Sequence, residues 1–162
     1  MAKEEPSVEE VYTKLSKQFS LPPFEELDME CELSIIDLKD VKEKYFLRAI
    51  ARKIEDRLSF FQDIFAEILN PDLGSVGSLY ESHFFDDHEK EVLFVPFQKL
   101  MIAQRNLLEA HTLLDNKNYA NVIQEIWSQY PSFKKEVLAL TKKMKESWEK
   151  QLDPKEKLGY FG

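Results

Sequence analysis

Residues 41–69 read VKEKYFLRAIARKIEDRLSFFQDIFAEIL, and this stretch decides the fold. Phe46, Ile50, Ile54, Leu58, Phe61, Phe65 and Ile68 recur at steps of three or four, and Leu47, Ala51, Phe60, Ile64 and Leu69 widen the stripe. Arg48, Arg52, Glu55, Ser59 and Asp63 fall on the opposite face. That period belongs to an amphipathic helix. Asp37 or Asp40 can cap it, and Asn70-Pro71-Asp72 stops it. A helix of about 28 residues is roughly 42 Å long. It is the spine of the domain.

Upstream, Ser7 and Glu10 have the spacing of a capping box. Val8, Val11, Tyr12, Leu15 and Phe19 then make one apolar stripe, so a helix is expected over 7–19, stopped by Pro22-Pro23. Between these helices lies an acidic strap. Residues 27–35 alternate apolar and polar, the period of a half-buried strand. Yet Leu27, Cys31 and Ile35 also fit helical spacing, and the only rival strand, 92–97, is broken by Pro96. The expectation is an extended or short-helical strap that lays Leu27, Met29, Cys31, Leu33 and Ile35 on the bundle. As an exposed edge, the same segment would accept a partner by strand addition.

Downstream, the glycine- and serine-bearing stretch 71–86 reads as a loop with a short helical turn near Leu79-Tyr80. Asp86 and Glu89 then resemble another cap. Leu93, Phe94, Phe97, Leu100, Met101, Leu107, Leu108 and Leu114 form a second long stripe, with a helix that starts or kinks at Pro96. Asn116-Lys117-Asn118 reads as a turn, and Tyr119, Val122, Ile123, Ile126 and Trp127 as a shorter helix ending at Tyr130-Pro131. Phe133, Val137, Leu140, Met144 and Trp148 mark the last helix. The sum is an all-α, single-domain bundle of about five helices over 1–153, with a C-terminal tail at 154–162.

Composition agrees with a globular chain: 162 residues, 43% hydrophobic and 32% charged. Cys31 is the sole cysteine, which excludes an internal disulfide and a Cys-rich zinc site. No apolar run approaches the roughly 20 residues of a membrane span, and acids stand where a signal peptide needs an apolar stretch. A soluble, cytoplasmic protein is expected. The formal charge of −8 argues against nucleic acid. Segments 1–40 and 70–91 are acidic, while 131–162 is mildly basic with acids interrupting its lysines.

The search for chemistry is mostly one of absences. There is no Glu-x-x-His pair, Walker loop, nucleophile elbow or dinucleotide-binding glycine motif. Cys31 lies between Glu30 and Glu32, which suppress a thiolate. No catalytic residue and no cofactor is nominated. His83, Asp87 and His88 are weak metal candidates, matching no ligand signature. Gln104 and His111 border the second long stripe as polar groups for a pocket, with His111 placed to bond Asp115. Met29, Leu33, Ile35, Phe84, Phe85, Tyr160 and Phe161 are the candidates for contact with a partner. The functional expectation is a non-enzymatic protein-interaction or scaffold protein acting through helix faces and the strap. The alternative is a bundle that binds a small apolar ligand or a metal ion. The breadth of the face at Phe60, Phe61, Ile64 and Phe65 adds the expectation of a homodimer, with an interface of at least ~1,000 Å².

Overall fold

A computed structural model describes residues 6–150. Among them are six α-helices, two short 3-10 turns and no strand, so the chain is all-α. The helices are α1 (Val8–Phe19), α2 (Phe24–Cys31), α3 (Phe46–Leu69), α4 (Val76–His83), α5 (Asp87–Leu113) and α6 (Asn116–Glu149). The described residues fall into two compact units. One draws on residues 6–59 and 102–130, the other on 60–101 and 131–150.

In the first unit, α1 opens with the expected capping box: the Glu10 amide donates to Ser7 Oγ, and the Ser7 amide to Glu10 Oε2. Tyr12 is buried, and its hydroxyl donates to the Pro22 carbonyl at 2.6 Å, which folds the Pro22-Pro23 stop back onto α1. Burial also raises the Tyr12 pKa. Carbonyls at the end of α1 have no partner in their own helix. The Gln124 amide of α6 donates to two of them, Phe19 and Ser20.

The strap is helical and breaks its own alternation. Leu27 and Cys31, one turn apart on α2, are buried. Glu32 then takes a left-handed conformation, φ 53°, and ends the helix. That reversal resets the phase, so Leu33 and Ile36 turn inward from a 3-10 turn. Met29 and Ile35, expected against the bundle, are instead 82% and 63% exposed. An extended strand needs a ladder partner, and the described residues contain none. The strap is pinned by charge as well. Tyr130 of α6 donates its hydroxyl to Glu30 at 2.7 Å and accepts from Arg57 Nε of α3 at 3.1 Å. A guanidinium nitrogen of Arg57 lies 3.5 Å from the same carboxylate. Losing one member would leave half-buried partners unmatched.

Other boundaries also moved. α3 begins at Phe46, after a 3-10 turn over Glu43–Tyr45, and not near residue 41. α5 neither starts nor stops at Pro96 but runs through it. The two expected last helices are one: α6 continues through Pro131. A proline inside a helix removes a donor and costs ~3 kcal/mol. Here Tyr130 and Phe133 are buried on either side of Pro131. The break before α6 falls earlier than the expected turn. Leu114 makes it, with φ 61°, and Asp115 caps the helix by accepting the Asn118 amide at 2.9 Å. Asn116–Asn118 are therefore its first turn.

In the second unit Phe61, Phe65 and Ile68 of α3 are buried, as are Tyr80, Phe85, Leu100, Phe133, Val137 and Leu140. α4 is the short turn expected near Leu79-Tyr80, lengthened to eight residues and capped by Ser75. Ser82 donates to the Ile68 carbonyl at the end of α3 at 2.7 Å. Tyr80 donates to the Ser147 carbonyl, and its ring lies 4.5 Å from that of Trp148. The broad apolar face expected to serve two neighbours is mostly used inside: Phe61 and Phe65 are buried, and Phe60 is half-exposed.

Two outcomes follow for the strap. Leu27→Ala should cost about 2–5 kcal/mol in urea unfolding, while Met29→Ala stays within about 0.5 kcal/mol. Similar losses for both would contradict the phase reset at Glu32. The Cys31 thiol, pushed up to about 12 chiefly by burial and secondarily by Glu30 against the opposing Arg57 and Lys53, should react slowly. Alkylation at pH 8 is expected at least ~100-fold slower in native buffer than in denaturant, an opening free energy of about 3 kcal/mol. Equal rates would mean an uncovered strap.

Candidate functional site

The second unit carries a groove between α5 and α6. Its walls come from matching registers. His88, Glu89, Val92, Leu93, Val95, Pro96 and Lys99 line it from α5, and Ser132, Phe133, Glu136, Ala139, Leu140 and Lys143 from α6. Residues at intervals of three, four and seven share a helix face. The groove is two adjoining cavities of about 370 and 360 Å³ that share Val92 and Glu136. From His88 to Lys99 it follows three turns of α5, or roughly 16 Å. Its surface is mainly apolar. Phe85, Leu93, Phe133 and Leu140 supply the floor, and Val92 and Val95 are more than half exposed.

Charge at the rim is unevenly satisfied. Lys143 pairs with Glu89, and its ammonium stands 4.6 Å above the Phe85 ring and 5.5 Å from the Phe84 ring. Lys143 and the Asp86 amide hold the Glu89 carboxyl below the usual carboxylate range. That carboxylate also completes a capping box with Asp86, whose Oδ1 accepts the Glu89 amide at 2.8 Å. So this end is fixed. At the other end Lys99 of α5 and Glu136 of α6 line the second cavity with no ion pair between them. Pro96 has no N–H to give the Val92 carbonyl, which leaves an acceptor beside the junction of the cavities.

The residues nominated from sequence are scattered. Phe85 is 5% exposed and forms a groove wall, while Phe84 next to it is half-buried under Lys143 and Lys150. Met29 and Ile35 are exposed in the first unit, where Leu33 is wholly buried and so faces no partner. Tyr160 and Phe161, with the tail at 154–162, lie outside the described residues. His88 lines the groove. His83 is held elsewhere, its Nδ1 donating to the Leu79 carbonyl at 2.7 Å, and Asp87 lies in the first turn of α5. Among the described residues no three His, Cys, Asp or Glu side chains gather closely enough to hold a metal ion.

Gln104 and His111 belong to the first unit and turn to neighbouring side chains. The Gln104 amide donates to Ser59 Oγ at 3.5 Å. His111 Nδ1 is hydrogen-bonded to Tyr119 Oη at 3.0 Å, in place of the expected Asp115 contact. Its buried Nε2 lies 3.4 Å from Glu55 Oε2 without the alignment of a hydrogen bond. Burial of the Cys31 thiol in this unit raises its pKa.

Sequence reading missed Val92, Val95, Glu136 and Lys99. A signal for them was present. Val92, Val95 and Lys99 occupy a second face of α5, outside the stripe through Leu93, Phe97 and Leu100, and a helix apolar on two faces has more than one neighbour to cover. No helix among the described residues is long and apolar enough to cross a membrane. No protein-family model, no curated protein and no solved structure matches the chain.

Proposed function

We propose that the protein is a non-enzymatic interaction module whose α5–α6 groove receives an amphipathic helix from another protein. The observation that carries this reading is the shape of the groove. Two cavities in line, apolar at the floor and about three turns long, fit the i, i+3/i+4, i+7 anchors of a docked helix. The unpaired rim charges add polarity: a partner acid belongs near Lys99 and a partner base near Glu136. Nothing assembled in either unit calls for a catalytic role.

A second reading rests on one number. The cavity of about 370 Å³ beside Phe85 and Leu140 falls within the roughly 300–1,000 Å³ range of small-molecule pockets, which fits a small apolar ligand. The adjoining cavity extends the site lengthwise, and a compact ligand would leave half of it empty. Native mass spectrometry separates the two readings, since a retained lipid-sized mass supports the second.

For the first reading, the test is selection of helical peptides from a displayed random library against the whole protein. Enriched sequences should carry apolar residues at i, i+3 or i+4 and i+7, with an acid at the Lys99 end. Val92→Asp should weaken their binding by at least about tenfold, or 1.4 kcal/mol. It should leave thermal unfolding nearly unchanged, because Val92 is 57% exposed. Peptides that bind V92D as well as the parent, or failure to enrich any helical pattern, would contradict the proposal.

A further inference from the structure

The first unit contains a separate pocket at the start of α3, independent of the groove. It measures about 210 Å³ and is lined by Asp40, Val41, Tyr45, Arg48, Ala49 and Arg52. Its chemistry is set by two arginines one helical turn apart. Like charges at i, i+4 repel, and a helix usually sets such residues beside carboxylates. This chain has 30 Asp and Glu residues against 22 Lys and Arg. Even so, among the described residues neither Arg48 nor Arg52 has a carboxylate within ion-pair distance, while Lys14, Arg57, Lys143 and Lys145 all do. Asp40 shares the pocket and bonds to neither. The Nε of Arg48 is buried with no acceptor. A buried donor of this kind costs free energy until something accepts from it.

We propose that this pocket binds a compact dianion of the phosphate class, held by Arg48 and Arg52. Guanidinium forks match phosphate oxygens two at a time, and two of them suit a dianion better than a monoanion. The pocket is smaller than a drug-sized site, so it holds a phosphoryl group with few additional atoms. Val41, Ala49 and the Tyr45 ring give it one apolar side, where a small organic group of a phosphomonoester would rest.

The experiment is an NMR titration of the full chain with inorganic phosphate at constant ionic strength, chloride replacing it in the control. The Arg48 Nε–Hε signal and the Ala49 amide should shift and saturate at millimolar phosphate. Arg48→Gln and Arg52→Gln should each weaken binding at least tenfold, and Arg105→Gln, at an exposed arginine on α5, should leave it unchanged. Arg48→Lys keeps the charge and loses the fork, so it should also bind more weakly. That variant serves if Arg48→Gln fails to give a dispersed folded spectrum. Phenyl phosphate binding more tightly than phosphate would assign an organic phosphomonoester, and equal affinity the free ion. Shifts that chloride reproduces, or that survive in both arginine variants, would overturn the proposal.

Discussion

Both units draw their interior from one helix. Phe46, Ile50, Ile54 and Leu58 of α3 are buried in the first, and Phe61, Phe65 and Ile68 in the second. Each such side chain contributes about 1.5–3 kcal/mol when fully removed from water, so this stripe accounts for much of the stabilisation available to a chain of this size. The remaining elements are placed by what α3 leaves them to cover. In the first unit, α2 and the following 3-10 turn add Leu27, Cys31, Leu33 and Ile36, and the Glu30–Tyr130–Arg57 group fixes their register. In the second, Ser82 occupies the carbonyl at the end of the helix.

Much of this was legible in the residues, and the failures have physical causes. The α3 stripe, the capping box at Ser7 and Glu10, and the Asp86–Glu89 cap are local signals, and local geometry obeys them. The strap misled because period 2 and period 3.6 coincide over short runs. A single left-handed residue, Glu32, then decided which apolar groups point inward. Prolines misled in the other direction. Pro96 and Pro131 read as boundaries, yet α5 and α6 run through them, and at Pro131 the flanking Tyr130 and Phe133 are buried. Pairings between residues distant in sequence, such as Lys143 with Glu89 or Tyr130 with Glu30, leave no mark in a single sequence.

The candidate site was legible only in part. Phe85 and His88 were singled out as residues, but the groove they line depends on α5 lying beside α6 within the second unit. What a sequence does show is the surplus: Val92, Phe94 and Val95 are apolar, consecutive with the core face, and about half exposed. Surplus apolar area next to a floor of Phe133 and Leu140 is the usual composition of a docking surface. Several ionisable groups have structural partners: Asp86 and Glu89 cap α5, Glu30 and Arg57 anchor the strap with Tyr130, and Lys143 pairs with Glu89 at the groove rim.

The central claim is that the α5–α6 groove takes a helix from a protein partner, and photo-crosslinking tests it most directly. A photoreactive phenylalanine analogue placed at Val92, within the groove, is compared with the same group at Glu109, exposed on α5 outside it. In native extract the probe at 92 should give a discrete adduct, the probe at 109 none, and the crosslinked segment should be an amphipathic helix with its acid directed to Lys99. Identical adducts from both positions, or attachment at 92 to segments without helical periodicity, would contradict the account.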